Sequence, residues 1–221
     1  MLRTRLVTSL LAIPVVVAAF WFGEPWFTIL IAVVALLAVI EFYRLAAATG
    51  ASPLPYFGMV FTTLFVVSRN PDVVAWLEPH FDVAPVTPLL LTLTVALPMA
   101  WLVLRRRAGQ TFTGWAWTVA GILYTGWLLG HLVSLRALPD GRSWVLFVLL
   151  ATFASDTTAF FAGSRFGRRR LSPEISPNKT WEGAIAGLAG AAALGLVFAA
   201  ATVFTADNPL HISGLALWQA A

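Results

Sequence analysis

The chain contains no cysteine among its 221 residues. Disulfides and thiolate-ligated metals are therefore excluded, and the redox compartment goes unread. Charge is almost as scarce. Asp, Glu, Lys and Arg make up 11% of the chain, against about 25% in an ordinary soluble domain. Apolar residues make up 59%, more than one soluble core of this length can bury, so the solvent that fits the chain is a bilayer. Also missing is the alternation of apolar and polar residues that marks the strands of a membrane barrel. No repeat, low-complexity tract or linker divides the chain. A single integral membrane domain over residues 1–221, incomplete at its C-terminus, is the expectation.

What the chain does have is long apolar runs. A membrane helix needs roughly 20 mostly apolar residues to cross about 30 Å of hydrocarbon. Charge-free runs cover 6–23, 25–40, 45–68, 83–104, 108–135 and 183–206, and a further run, 143–164, is broken by one acid, Asp156. The second run is expected to extend to Glu41–Tyr43, and the third to be helical over 54–68, after a Gly50–Pro55 turn. The runs are continuous and too long for barrel strands. The fold class that follows is all-α: a polytopic membrane helical bundle of about seven transmembrane helices. Residues 212–221 read as a truncated eighth, stopping at Ala221. Residues 1–23 do not read as a cleaved leader, because Phe20, Trp21 and Phe22 stand where a small-residue cleavage site belongs. Trp21, Trp26, Trp76, Trp101, Trp144 and Trp181 lie near the ends of apolar runs. That placement fits an interfacial aromatic belt, and equally the plain abundance of tryptophan in apolar proteins.

The basic residues set the orientation. Arg3, Arg5, Arg44, Arg105, Arg106, Arg107, Arg165, Arg168, Arg169, Arg170 and Lys179 fall in alternate loops, eleven of the fourteen. The opposite loops hold Arg69, Arg136 and Arg142, with the acids Asp72, Glu78 and Asp82 beside the first. The positive-inside rule then puts the N-terminus and the 165–182 loop in the cytoplasm, in a protein integral to the inner membrane. The net charge of +4 is explained by this topology, and no nucleic-acid partner is expected.

Three features can carry chemistry. Asp156 is the one acid inside a run. An Asp at a helix centre costs about 2.5–3.5 kcal/mol on the insertion scale. It is either a cation ligand or partner of a basic group facing a wet cavity, or a structural hydrogen bond to a neighbouring helix. The loop from Arg165 to Arg170 either fixes topology and attracts anionic lipid or binds a substrate. In Ile175-Ser-Pro-Asn-Lys-Thr-Trp-Glu-Gly183, Ser176 before Pro177 reads as an N-cap and first helical residue, with Thr180 as a second candidate cap. A helix mouth there would offer backbone N–H groups to a phosphate, with Lys179 adding charge and Ser176 and Thr180 hydroxyls. Gly183 would allow close approach. The plainer reading is an ordinary capped helix start.

The stretch Asp156-Thr-Thr-Ala-Phe, Gly163-Ser-Arg-Phe-Gly167 and Leu171-Ser-Pro-Glu-Ile-Ser-Pro-Asn-Lys-Thr-Trp-Glu-Gly183 resembles the phosphatidate cytidylyltransferase family, the CDP-diacylglycerol synthases. Arg5-Leu-Val-Thr-Ser-Leu, Glu41-Phe-Tyr-Arg-Leu and Gly121-Ile-Leu-Tyr124 with Leu135-Arg136 and Gly141 are weaker echoes along the rest of the chain. The resemblance implies transfer of a cytidylyl group from CTP to phosphatidic acid, giving CDP-diacylglycerol and pyrophosphate. It implies Asp156 and Lys179 as catalytic residues, and Ser176, Asn178, Thr180, Glu182, Gly183, Arg165 and Arg168 as substrate- and phosphate-binding residues. It also implies Mg²⁺, with Asp156 as one ligand, and a homodimer as one expected assembly. The family's later signature, with a Lys-Arg-Asp run, a Lys-Asp pair, a His-Gly-Gly and an Asp-Arg, carries the acids thought to hold the metals and does not occur in these residues. The main metal ligands are therefore expected beyond Ala221. The expectation is a fragment, or a natural truncation without activity. A CTP-dependent lipid or polyprenol kinase, a transporter using Asp156 as a relay, and an inactive membrane scaffold are the alternatives.

Overall fold

A computed structural model describes residues 13–104 and 111–204. Arg3, Arg5, Arg105–Arg107 and the half-helix expected at 212–221, with its last residue Ala221, lie outside the described residues. The chain divides into two compact units, residues 1–137 and 138–221.

In the first unit the apolar runs are helices. They are α1 (Ile13–Phe22), α2 (Trp26–Ala48), α3 (Pro55–Val67) and α5 (Val86–Leu104). The last run forms α6 (Thr111–Gly121), a π-helical segment (Ile122–Trp127) and α7 (Leu128–Arg136). A short helix, α4 (Pro71–Leu77), lies in the acidic segment read above as a loop. Its start was legible in outline. Asn70 Oδ1 accepts the Val73 N–H at 3.0 Å, Pro71 takes the first helical position and Asp72 sits in the first turn. Asn70 Nδ2 also donates to Glu24 Oε2 at 2.8 Å, tying α4 to the entry of α2.

The core of this unit is organised around Tyr43, near the end of α2. Its ring lies in a slot between Gly58 on α3 and Gly121 on α6. A Cβ on Gly121 would fall 2.8 Å from the ring's Cζ, and one on Gly58 2.5 Å from it. The buried hydroxyl donates to the Thr118 carbonyl at 2.8 Å. In a bilayer an unmatched phenol has no water to turn to, so this acceptor matters. Phe61, Phe65 and Ile122 form a buried apolar cluster of the same unit, with Phe57 and Trp127 packed against it.

The second unit is a pair of antiparallel helices, α8 (Gly141–Phe166) and α9 (Trp181–Phe204), joined by a small β-hairpin, β1 (Arg170–Ser172) and β2 (Ser176–Thr180). Phe147 on α8 meets Phe198 on α9 edge to face, 5.3 Å between centroids.

Five helices are long and apolar enough to cross a bilayer: Trp26–Ala48, Val86–Leu104, Phe112–Arg136, Gly141–Phe166 and Trp181–Ala200. The other two apolar helices, Ile13–Phe22 and Pro55–Val67, are shorter. Thirteen residues reach only about 20 Å at 1.5 Å per residue. The fold is an all-α, polytopic membrane bundle, and the described second run continues past Tyr43 to Ala48. Trp21, Trp26, Trp76, Trp101 and Trp181 are exposed at or near helix ends, where an aromatic belt would place them.

Candidate active site

The second unit brings most of the residues singled out above to one end of the α8–α9 pair. α8 stops at Phe166, where Gly167 turns into extended backbone and its N–H still donates to the Gly163 carbonyl at 3.1 Å. β1 and β2 then pair antiparallel, Arg170 opposite Thr180 and Ser172 opposite Ser176. The Arg170 guanidinium donates across the hairpin to the Pro177 carbonyl, and the Trp181 N–H donates to the Arg169 carbonyl at 3.0 Å.

Ser176 is therefore not a helix cap. Residues 176–180 are a strand and the helix begins at Trp181. The physical reason is local. Ser172 and Ser176 each precede a proline, which pushes both toward extended backbone. Pro177, lacking an N–H, is tolerated in a strand with an open edge. The cap is Thr180, whose buried hydroxyl accepts the Gly183 N–H at 3.2 Å.

Thr180 sits in a nook built by three glycines. A Cβ on Gly163 or on Gly183 would lie 3.1 Å from Thr180 Oγ1, and one on Gly167 2.6 Å from its Cγ2. On Gly183 the same Cβ would also come within 2.9 Å of the Ala159 carbonyl. The two helices can meet this closely only because those positions carry no side chain. Gly187 and Gly190 continue the contact down α9, against Ser155 and Thr158.

Glu182 reaches back to the basic turn. Its carboxylate accepts the Arg168 N–H at 3.1 Å and the Arg169 N–H at 3.3 Å. It clamps the basic turn to the first turn of α9, and Arg168 is exposed there. Arg165, Gly167, Arg168 and Glu182 line a cavity of about 410 Å³. Arg165, Arg168, Thr180, Glu182 and Gly183 are thus gathered at one place.

Asp156 and Lys179 are not joined to that group by any bond. Asp156 is exposed on α8, ten residues before Phe166, or about 15 Å along the axis. Lys179 and Asn178 are exposed on β2, and Ser176 is half-buried there. Among the described residues neither Asp156 nor Lys179 has a hydrogen-bond or ion-pair partner. Among the described residues no three His, Cys, Asp or Glu side chains cluster as a metal site would require. Mg²⁺ is usually held by one or two carboxylates together with substrate phosphates. Asp156 is the carboxylate on α8 that could contribute to such a site. The expectation that the main ligands follow Ala221 falls outside the described residues, which end at Phe204.

Reading the sequence quoted Gly163 and Gly167 without giving them a packing role, and did not name Gly187 or Gly190. Their signal was present: Gly163 and Gly167, and again Gly183 and Gly187, are spaced four apart, the small-residue pattern of close helix pairs in membranes.

A profile described as the cytidylyltransferase family matches residues 3–221. The phosphatidate cytidylyltransferase of Brucella abortus is 30% identical over 199 residues, covering 90% of this chain and 67% of the relative. That of Pseudomonas aeruginosa is 30% identical over 194 residues, covering 86% and 67%. That of Bacillus subtilis is 25% identical over 198 residues, covering 89% and 71%. With a match that spans nearly its whole length, the chain belongs to the cytidylyltransferase family, whose members are nucleotidyltransferases.

Proposed function

We propose that this protein transfers the cytidylyl group of CTP to phosphatidic acid, making CDP-diacylglycerol and pyrophosphate for phospholipid synthesis. The observation that carries the reading is a clamped basic turn at the mouth of two membrane-length helices, in a chain similar to phosphatidate cytidylyltransferases over 90% of its length. A lipid phosphate oxygen attacks the α-phosphorus of CTP. One P–O bond forms, the bond between the α- and β-phosphates breaks, and pyrophosphate leaves. Such transfers depend on positioning and on neutralising charge.

The chain's own residues supply both. Glu182 fixes the turn that presents Arg165 and Arg168 to a phosphate. Thr180 caps α9, so the remaining first-turn N–H groups point toward the same end. Lys179 brings a mobile positive charge from β2, next in sequence to Thr180, and Ser176 and Asn178 offer polar groups along the strand. Asp156 serves as a carboxylate deeper in the bilayer, and it is the one residue named here for the Mg²⁺ we propose as cofactor. We place the hairpin on the cytoplasmic face of the inner membrane, where CTP is available, and propose a homodimer as the assembly.

The test is incorporation of radiolabel from cytidine-labelled CTP into lipid by the chain reconstituted with phosphatidic acid. A labelled CDP-lipid is expected. With a lipid alcohol and γ-phosphate-labelled CTP supplied instead, a labelled phosphorylated alcohol without any CDP-lipid would identify a CTP-dependent kinase. Arg165→Gln with Arg168→Gln should raise KM for the lipid by about tenfold or more, since each charge-assisted bond contributes roughly 1.5–3 kcal/mol.

A further inference from the structure

A second recess adjoins the basic turn in the same unit and is chemically its opposite. It has a volume of about 750 Å³ and runs along one flank of the α8–α9 pair. Its floor is small: Ala162 on α8, with Ala186, Ala189 and Gly190 on α9. Phe161 forms a wall, and Arg165 and Phe166 close the end nearest the hairpin. The two hydroxyl side chains in its lining are silent. The Thr158 hydroxyl is bonded to the Ala154 carbonyl of its own helix at 2.7 Å, and the Ser164 hydroxyl donates to the Phe161 carbonyl at 3.1 Å. Arg165 is shared with the polar cavity that also holds Arg168 and Glu182.

The groove fits within one leaflet. From Arg165 to Thr158, both in its lining, is seven residues of helix, or about 10 Å at 1.5 Å per residue. Half of a 30 Å hydrocarbon core is about 15 Å. The groove therefore begins at a guanidinium where headgroups lie and ends among the acyl chains of the same leaflet. We infer that this groove seats an acyl chain of the anionic glycerophospholipid substrate, with Arg165 holding its phosphate at the rim. The inference rests on the activity proposed above and names the surface that orients the lipid in it.

The energetics differ from those of a soluble pocket. An acyl chain leaving a bilayer gains little from hydrophobic transfer, because its former neighbours were equally apolar. The groove supplies shape, and the charge at its rim selects which lipid enters. Anionic headgroup and groove thus work together, and a zwitterionic lipid with the same chains should occupy the groove less.

Photocrosslinking tests this without turnover. The chain is reconstituted in phosphatidylcholine vesicles containing a trace of phosphatidic acid with a diazirine in one acyl chain, irradiated, and mapped by mass spectrometry. Label is expected on Phe161, Ala162, Phe166, Ala186, Ala189 and Gly190, competed by unlabelled phosphatidic acid. A phosphatidylcholine probe with the same chain should label them less. Arg165→Gln should lower the phosphatidic acid labelling by about tenfold, as loss of a charge-assisted bond predicts. Ala189→Trp, which fills the floor, should lower it too, whereas Leu188→Trp, which lies outside the groove, should not. Equal labelling by the two probes, or label spread evenly onto Ile185 and Leu188, would mark the flank as ordinary lipid-facing surface and overturn the inference. Transfer activity without groove labelling counts against the groove alone. Groove labelling without transfer activity counts against the reaction instead.

Discussion

Thr180 shows how much one residue can decide in this protein. Its hydroxyl caps α9, and the side chain fills a space that glycines at 163, 167 and 183 keep clear. Thr180→Val keeps the volume and removes the cap. The expected loss is about 1 kcal/mol, read as a lower midpoint in a thermal or denaturant titration of the detergent-solubilised protein, with Thr180→Ser retaining most of the stability. Tyr43→Phe asks the same question of the first unit. It deletes a buried 2.8 Å bond to the Thr118 carbonyl without opening a cavity, so a cost of about 1–2 kcal/mol is expected. An unchanged midpoint in either variant would show that the assigned bond contributes nothing. Glu182→Ala should leave the folded core in place and release the turn it clamps. Faster tryptic cleavage after Arg168 and Arg169 is the expected signature, and cleavage at the parent rate would show that the carboxylate restrains nothing.

At the scale of elements, the apolar runs were legible because the bilayer demands them. A helix that must satisfy its own backbone in hydrocarbon announces itself as a continuous apolar stretch. The run at 83–104 therefore contains the helix Val86–Leu104, and the run at 143–164 lies within Gly141–Phe166. The hairpin was not legible, since a three-residue strand paired with a five-residue one has no periodicity to read. Ser176 before Pro177 carries the same residue types as a helix start, and only the pairing with β1 decides between them. Thr180 was named as an alternative cap for the right reason. The role of Glu182 was hidden because its partners are backbone N–H groups of residues thirteen and fourteen positions earlier. The glycine spacing, by contrast, could have been used. It predicts that Gly187→Leu pries α9 from Ser155 and Ala159 on α8. Overpacking of this kind costs typically 1–3 kcal/mol. Leu188→Ala one position on, where the side chain is 72% exposed, should cost far less. Equal destabilisation by the two changes would mean that the close approach of the helices is not what holds the pair.

For the whole molecule, the distribution of charge makes a prediction that is independent of any packing detail. In the sequence, eleven basic residues fall between or beside alternate apolar runs and three beside the others. The positive-inside rule turns that asymmetry into an orientation. The absence of cysteine makes the chain a ready background for mapping it, because any thiol introduced is the only one present. Arg168→Cys in the basic turn and Glu78→Cys at the end of α4 are both exposed positions outside the long helices. A membrane-impermeant maleimide should modify position 78 in right-side-out vesicles and position 168 only in inverted ones. Modification of both from one side would break the assignment at its root. A basic turn facing away from the cytoplasm has no supply of CTP, and the clamp, the rim arginine and the groove would then need a different substrate. If the two positions label from opposite faces, the lipid reaches the site from the inner leaflet, the nucleotide reaches it from the cytoplasm, and Arg165 and Arg168 stand where the two phosphates must meet.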